Sequence, residues 1–235
     1  GVTLGVVHSS GATSIRSLST DESVTISGGS IVISAASAIQ DGGRLTVANA
    51  TLGRAGQLVN RGTIDLRQAI VNAPIVNQGR IVSQSLTRIN SLSTTSTSVI
   101  ESLGTSAIGS SQLDVASGFT NLGRIELNTT GGAVESHFPV LTGTLVNAAG
   151  ARITSLGGAG GPRGLAARIE NRGLLDVQHT VSIGSSTPLL DSTLGTIQLA
   201  ASQSIVSSSP RIVITPNRLT GPGTLHLFGT TLEIA

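Results

Sequence analysis

The sequence predicts an all-β protein, a single-stranded parallel β-helix (β-solenoid), from three observations. One phrase returns in altered form: LVNRGTIDL at 58–66, IVNQGRIVS at 75–83, FTNLGRIEL at 119–127 and IENRGLLDV at 169–177. Its glycine recurs every 17 to 28 residues between neighbouring recognisable copies, the range of solenoid repeats. β-branched and turn-forming residues dominate, and no apolar period of 3.6 runs along the chain.

Each part of the phrase has a physical task. After the glycine, apolar and polar residues alternate, so Ile64 and Leu66 face one way while Thr63 and Asp65 face the other. Leu58 and its equivalents lead into the corner as a second short strand. Asn and Gly are expected there because both tolerate left-handed backbone in sharp turns. The asparagine amide is also able to stack on the asparagine of the next coil. No repeat buries its apolar face alone; stacking closes a continuous core. Weaker copies are GGRLTVANATL (42–52), LVNAAGARITSL (145–156), LLDSTLGTIQL (189–199) and LTGPGTLHL (219–227). The 44-residue interval from Gly79 to Gly123 is expected to hold two degenerate copies. At roughly 22 residues per coil the chain makes about ten coils and a rod on the order of 50 Å, right-handed by the usual crossover rule.

The competing architecture is an antiparallel sandwich or barrel, which needs tight hairpins. Asn-Gly and Asp-Gly turns between alternating runs are scarce, and QDGGR at 40–44 is the nearest approach. The whole chain, 1–235, reads as one domain, with 1–20 as an N-terminal cap and 219–235 as a terminal coil or cut edge. Three stretches are expected to widen the coils: the Ser/Thr-rich run at 91–102, the Gly-rich excursion at 155–168 and the segment 202–218 with two prolines. Loops leaving a solenoid decorate one face, where binding concentrates.

Composition narrows both core and function. Hydrophobic residues make up 38% of the chain, with no Trp, Tyr, Met or Cys and only Phe119, Phe138 and Phe228 as aromatics. The core is therefore aliphatic. All fourteen cations are Arg, against twelve carboxylates, for a net charge of +2. The high isoelectric point, about 10.9, reflects the lack of groups titrating between His and Arg. The arginines are dispersed and stacking aromatics nearly absent, which excludes nucleic acid as the main partner. Without cysteine there are no disulfides or thiolate metal sites, and no cofactor is expected. No run of 18 apolar residues predicts a transmembrane helix. The N-terminal GVTLGVVHSS lacks the features of a signal peptide, as expected of a mature or excised piece of a larger secreted protein.

The Asn-x-Gly-x-Ile-x-Leu pattern resembles the β-helical repeats of large bacterial exoproteins, including filamentous haemagglutinin-type adhesins and autotransporter passenger regions. The resemblance covers 42–228 at the level of repeat style. It implies a secreted or cell-surface location and a role in adhesion, display or spacing. It brings no catalytic residues, since none belong to the motif.

Candidate ligand-binding residues come from the outward positions. The site between the two apolar residues after Gly holds Asp65, Glu126, Asp176, Gln198 and His226, while Arg61 and Arg172 stand four residues before Asp65 and Asp176. Stacked, Arg61, Asp65, Glu126, Arg172 and Asp176 would form a row of carboxylates and guanidiniums able to hydrogen-bond a glycan, for which the planar Arg fork suits carboxylated sugars. A solvated face with compensated charge is the plainer reading of the same pattern. A polysaccharide lyase or hydrolase is the alternative function, yet its clustered carboxylates or calcium ligands are not evident. Glu135 and His137 in ESHF read as surface decoration, a loop over the groove being the alternative, and the four histidines show no metal-ligand spacing. GGAGGPRG lacks the Gly-Lys-Ser/Thr ending of a phosphate loop. An ice-binding solenoid needs a regular Thr-x-Thr register that the repeats lack. The expectation is a non-enzymatic, extracellular structural or adhesive module that binds carbohydrate on an outer face. Its other expected association is end to end, with itself or with a continuing chain.

Overall fold

A computed structural model describes residues 6–53, 56–184, 189–208 and 210–235. The chain winds as a parallel β-solenoid whose coils present three faces. The first and second faces are each eleven-stranded parallel sheets. The third is split into a five-stranded sheet from Ser19–Thr20 to Leu92–Thr94 and a six-stranded sheet from Phe119–Asn121 to Thr231–Ile234. The strand order within every sheet advances by one coil at a time, so the pairing is parallel throughout these sheets. No helix among the described residues is long and apolar enough to cross a membrane.

The register explains the repeating phrase. On the first face Leu45, Ile64, Ile81 and Ile100 stack in line, as do Ile125, Ile153 and Leu175 farther along. All are essentially buried. Burying such a side chain contributes roughly 1.5–3 kcal/mol, and each coil shields its neighbours' apolar atoms. Coil length varies freely around this constant register. The partners Ile64 and Ile81 lie 17 residues apart, while Ile125 and Ile153 lie 28 apart. The 44-residue interval is two coils long with one degenerate corner, where Ser98 takes the glycine's place beneath Gly123.

The asparagines form buried columns. Asn60 Nδ2 donates to Asn77 Oδ1 at 2.7 Å, Asn121 to Asn147 at 2.9 Å, Asn147 to Asn171 at 2.8 Å, and Asn171 to Ser192 Oγ at 2.9 Å. Each also donates to a backbone carbonyl beyond the corner. Between the two columns Thr94 substitutes, donating to Thr120 O and accepting from Leu122 N. That substitution coincides with the break in the third face.

The motif glycine serves a different purpose from the one expected. Gly62, Gly79, Gly123 and Gly173 are not left-handed. A Cβ at Gly79 would lie 2.2 Å from Gly62 O, and one at Gly173 would lie 2.3 Å from Ala151 O. At these corners the coils stack too closely for a side chain. In the coil at 145–156 the position belongs to Ala151, and Gly150, one residue earlier, supplies a left-handed turn at φ +82°.

Several expected irregular stretches are regular. The Ser/Thr-rich run forms the strands Leu92–Thr94 and Val99–Thr105, because its hydroxyls satisfy corner groups: Ser98 Oγ donates to Asn77 O at 2.6 Å and Thr97 Oγ1 to Gln78 O at 2.7 Å. The proline-bearing segment contains Ser204–Ser207 and Arg211–Ile214, then one 3-10 turn, Pro216–Arg218. The coils genuinely widen between Gly104 and Pro162, and there Phe119 and Phe138 fill the larger interior with ring centroids 6.4 Å apart. Residues 6–20 form a first coil, and Leu219–Thr220, Thr224–Leu227 and Thr231–Ile234 form the last described one.

Candidate functional site

The outward side of the first face carries the charge. Two outward columns run side by side along its axis. One holds Arg44, Thr63, Arg80 and Val99, then Arg124 and Arg152; the other holds Thr46, Asp65, Val82 and Glu101, then Glu126, Thr154, Asp176 and Gln198. A row of carboxylates and guanidiniums therefore exists, with different partners from those expected. Arg44 Nε lies 2.5 Å from Asp65 Oδ2, Arg80 pairs with Glu101, and Arg152 Nη1 lies 3.7 Å from Asp176 Oδ2. Each of these arginines reaches one coil forward.

Arg61 and Arg172 belong to the corners. Arg61 Nη1 donates to Gln40 Oε1 at 3.2 Å, and Arg172 pairs with Glu170 at 2.6 Å. The four-residue spacing failed as a guide because the strand between corner and carboxylate carries Asp65 and Asp176 away along the face. Glu126 lies on the charged face, beside Glu101, with Arg124 at 3.8 Å. His226 does not share the column. Thr224–Leu227 pairs with Ser204–Ser207 on the second face, so LTGPGTLHL is out of phase with the other copies.

The carboxylates are far more enclosed than an open wet face implies. Asp65, Glu101 and Asp176 are buried as residues while the guanidiniums above them stay about half exposed. Neighbouring strands crowd the acids from both sides, and amides add support: Asn128 Nδ2 donates to Glu101 Oε1 and Gln178 Nε2 to Asp176 Oδ2, each at 2.8 Å. Exposed ion pairs contribute little, about 0–1 kcal/mol; the main effect here is to neutralise acids that stacking encloses.

Sequence reasoning missed Arg152 and Arg218 as companions of Arg172. The three guanidiniums line an open groove of about 550 Å³ where the first face meets the third, floored by Gly173 and bordered by Thr196 and Gln198. Among the described residues no carboxylate lines it. Arg218 donates to Leu194 O at 2.7 Å, and Arg172 is tethered by Glu170 outside the lining. A signal for Arg152 did exist. Arg44, Arg80 and Arg152 each follow the corner position directly in coils whose next outward residue is Thr46, Val82 or Thr154, and the acid appears one coil later. No comparable signal marks Arg218, which arrives from the 3-10 turn.

Glu135 and His137 sit on the second face, not on a loop over the groove. Ser136–His137 is a short strand, with Glu135 Oε2 2.8 Å from His137 Nε2 and Phe138 fully buried behind them. The imidazole takes the space left by Gly164, where a Cβ would lie 2.2 Å from Nδ1. Among the described residues no group of three or more His, Cys, Asp or Glu could hold a metal ion. Comparison with family models, curated proteins and solved structures returns no match for this chain.

Proposed function

We propose that the protein is a non-enzymatic, secreted or surface-displayed solenoid module that acts as a rigid spacer and adhesive element, binding carbohydrate along the arginine-lined groove. The observation that carries this reading is the groove itself. Arg152, Arg172 and Arg218 come from separate coils and line one open groove that has no carboxylate among its described lining residues, with Asp176 and Glu170, the acid partners of Arg152 and Arg172, lying outside it. A shallow trough fits a polymer lying across coils better than a small molecule needing enclosure. Guanidiniums donate in planar forks to carboxylate and hydroxyl oxygens, and Thr196 and Gln198 extend the donor set. A stiff stack of coils holds such a site at a fixed distance from whatever anchors it.

Retention on a glycan array tests the reading. The protein is expected to retain acidic glycans without shortening them, and Arg172→Ala and Arg218→Ala are each expected to weaken retention about tenfold, the equivalent of one charged hydrogen bond. Circular dichroism should stay unchanged. Release of shortened chains from a panel of acidic polysaccharides would replace the adhesive reading with an enzymatic one.

A further inference from the structure

The middle of the second face turns large apolar side chains outward. Leu86 is 59% exposed and Ile70 46%. The strands that carry this patch farther, Leu86–Ile89 and Ser111–Val115, are the fifth and sixth of the eleven in that sheet. Ile70 is in register with Arg88, and Arg88 with Asp114. Together with Gln68 and Leu86 these residues line an open groove of about 500 Å³ that crosses three coils.

On the first face arginines reach one coil forward to an acid. Arg88 does not, although Asp114 faces outward directly beside it. Arg88 Nε donates to Asn90 Oδ1 at 3.3 Å, and Asp114 Oδ1 accepts from Gln112 Nε2 at 2.8 Å. The guanidinium is drawn forward along its own strand and the carboxylate backward along the next. Among the described residues neither has an opposite charge within ion-pair distance. A cation and an anion side by side at the centre of a face are self-complementary. A two-fold rotation about an axis between their strands sets each cation on the other copy's anion, the hallmark of an isologous contact. A second copy of this chain therefore matches the patch in charge and supplies apolar cover for it.

We propose that the second face is the interface of an isologous homodimer, whose two-fold axis runs along the strand direction between Leu86–Ile89 and Ser111–Val115. The two solenoids lie antiparallel, with Arg88 of each copy on Asp114 of the other. Ile70 meets Pro139, which stands one coil beyond Asp114, and Leu86 meets the stem of Gln112. Because the axis passes through the middle of the described sheet, the two faces overlap along nearly their whole length. Eleven strands spaced about 4.8 Å and about four residues across give roughly 650 Å² in projection, against about 800 Å² per partner in a typical stable interface. The Arg152 groove lies elsewhere, between the first and third faces, so the dimer does not depend on the adhesive reading.

Sedimentation velocity of the whole chain across micromolar concentrations tests the proposal, and a species of twice the 23.6 kDa chain mass is expected. Arg88→Asp and Asp114→Arg each set like charges against one another and are expected to weaken association about a hundredfold. The double reversal is expected to restore it, because both contacts invert together. A cysteine pair, Ile70→Cys with Pro139→Cys, reads the orientation even where a charge reversal fails to fold. Within one chain these positions lie three coils apart, about 14 Å, beyond the ~7 Å reach of a disulfide. The chain has no cysteine of its own, so oxidation of this variant is expected to yield a covalent dimer. A monomer at every concentration, whether bare or holding a foreign ligand in the groove, overturns the proposal. So does a dimer indifferent to the single reversals, a double reversal that stays dissociated, or a cysteine pair that gives no covalent dimer.

Discussion

A single methyl group separates two kinds of glycine here. At Gly79 a Cβ would fall 2.2 Å from Gly62 O and 2.5 Å from Arg61 O, backbone atoms held by the coil beneath. At Gly150 the space is open, and only the left-handed φ of +82° resists substitution. Gly79→Ala is therefore expected to cost about 3 kcal/mol through forced backbone displacement, against about 1 kcal/mol for Gly150→Ala. Denaturant midpoints of the two variants check the order, and equal losses would remove close stacking as the reason for the motif glycine. The sequence marked the right residue with the wrong cause, since Asn-x-Gly reads as turn chemistry until the coil below is visible. Asp65 teaches a similar lesson. Its column was legible from alternation, but its partner Arg44 lies 21 residues away, a distance fixed by coil length and not by local spacing.

The asparagine column shows how an element extends what a residue begins. Its first amide, Asn60, has an orphan Oδ1, and the register partner on that side is Ile39, buried at 0%. Ile39→Asn would place an amide where it is able to donate to Asn60 Oδ1, repeating the geometry of Asn60 on Asn77. Leu45→Asn, at an equally buried position of the first face, offers no such acceptor. Both lose apolar burial, but the unsatisfied amide at 45 adds about 1–3 kcal/mol. Ile39→Asn is expected to be the milder change by roughly that amount, measured by chemical denaturation; equal destabilisation would show that the column contributes no directional bonding. The column was readable in the phrase itself, because four copies carry Asn at one position. Its interruption was not, because Thr94 sits in a Ser/Thr-rich run that resembles a loop by composition. The arginine-lined groove was readable only through Arg172; Arg152 required knowing that charge pairs step between coils, and Arg218 required the fold.

Eleven coils bury one another in sequence, so stability propagates along an axis through nearest neighbours and not through a central point. The first and second faces are unbroken, while the third changes sheets after Leu92–Thr94, and the last strand, Thr231–Ile234, is exposed along its whole length. Such a stack opens from its least supported coils inward. Hydrogen exchange is therefore expected to be slowest at Ile81, Ile100 and Ile125, whose strands have partners on both sides, and fastest in Thr231–Ile234. Ile100→Ala sharpens the test. Its cavity destabilises one coil by about 2–5 kcal/mol, and in a one-dimensional stack the loss of protection reaches Ile81 and Ile125 before Leu199. Parallel loss at all four positions would mean that the solenoid melts as one unit. Retained order among them ties rigidity, and the fixed spacing of the arginine groove, to coil-on-coil contacts alone.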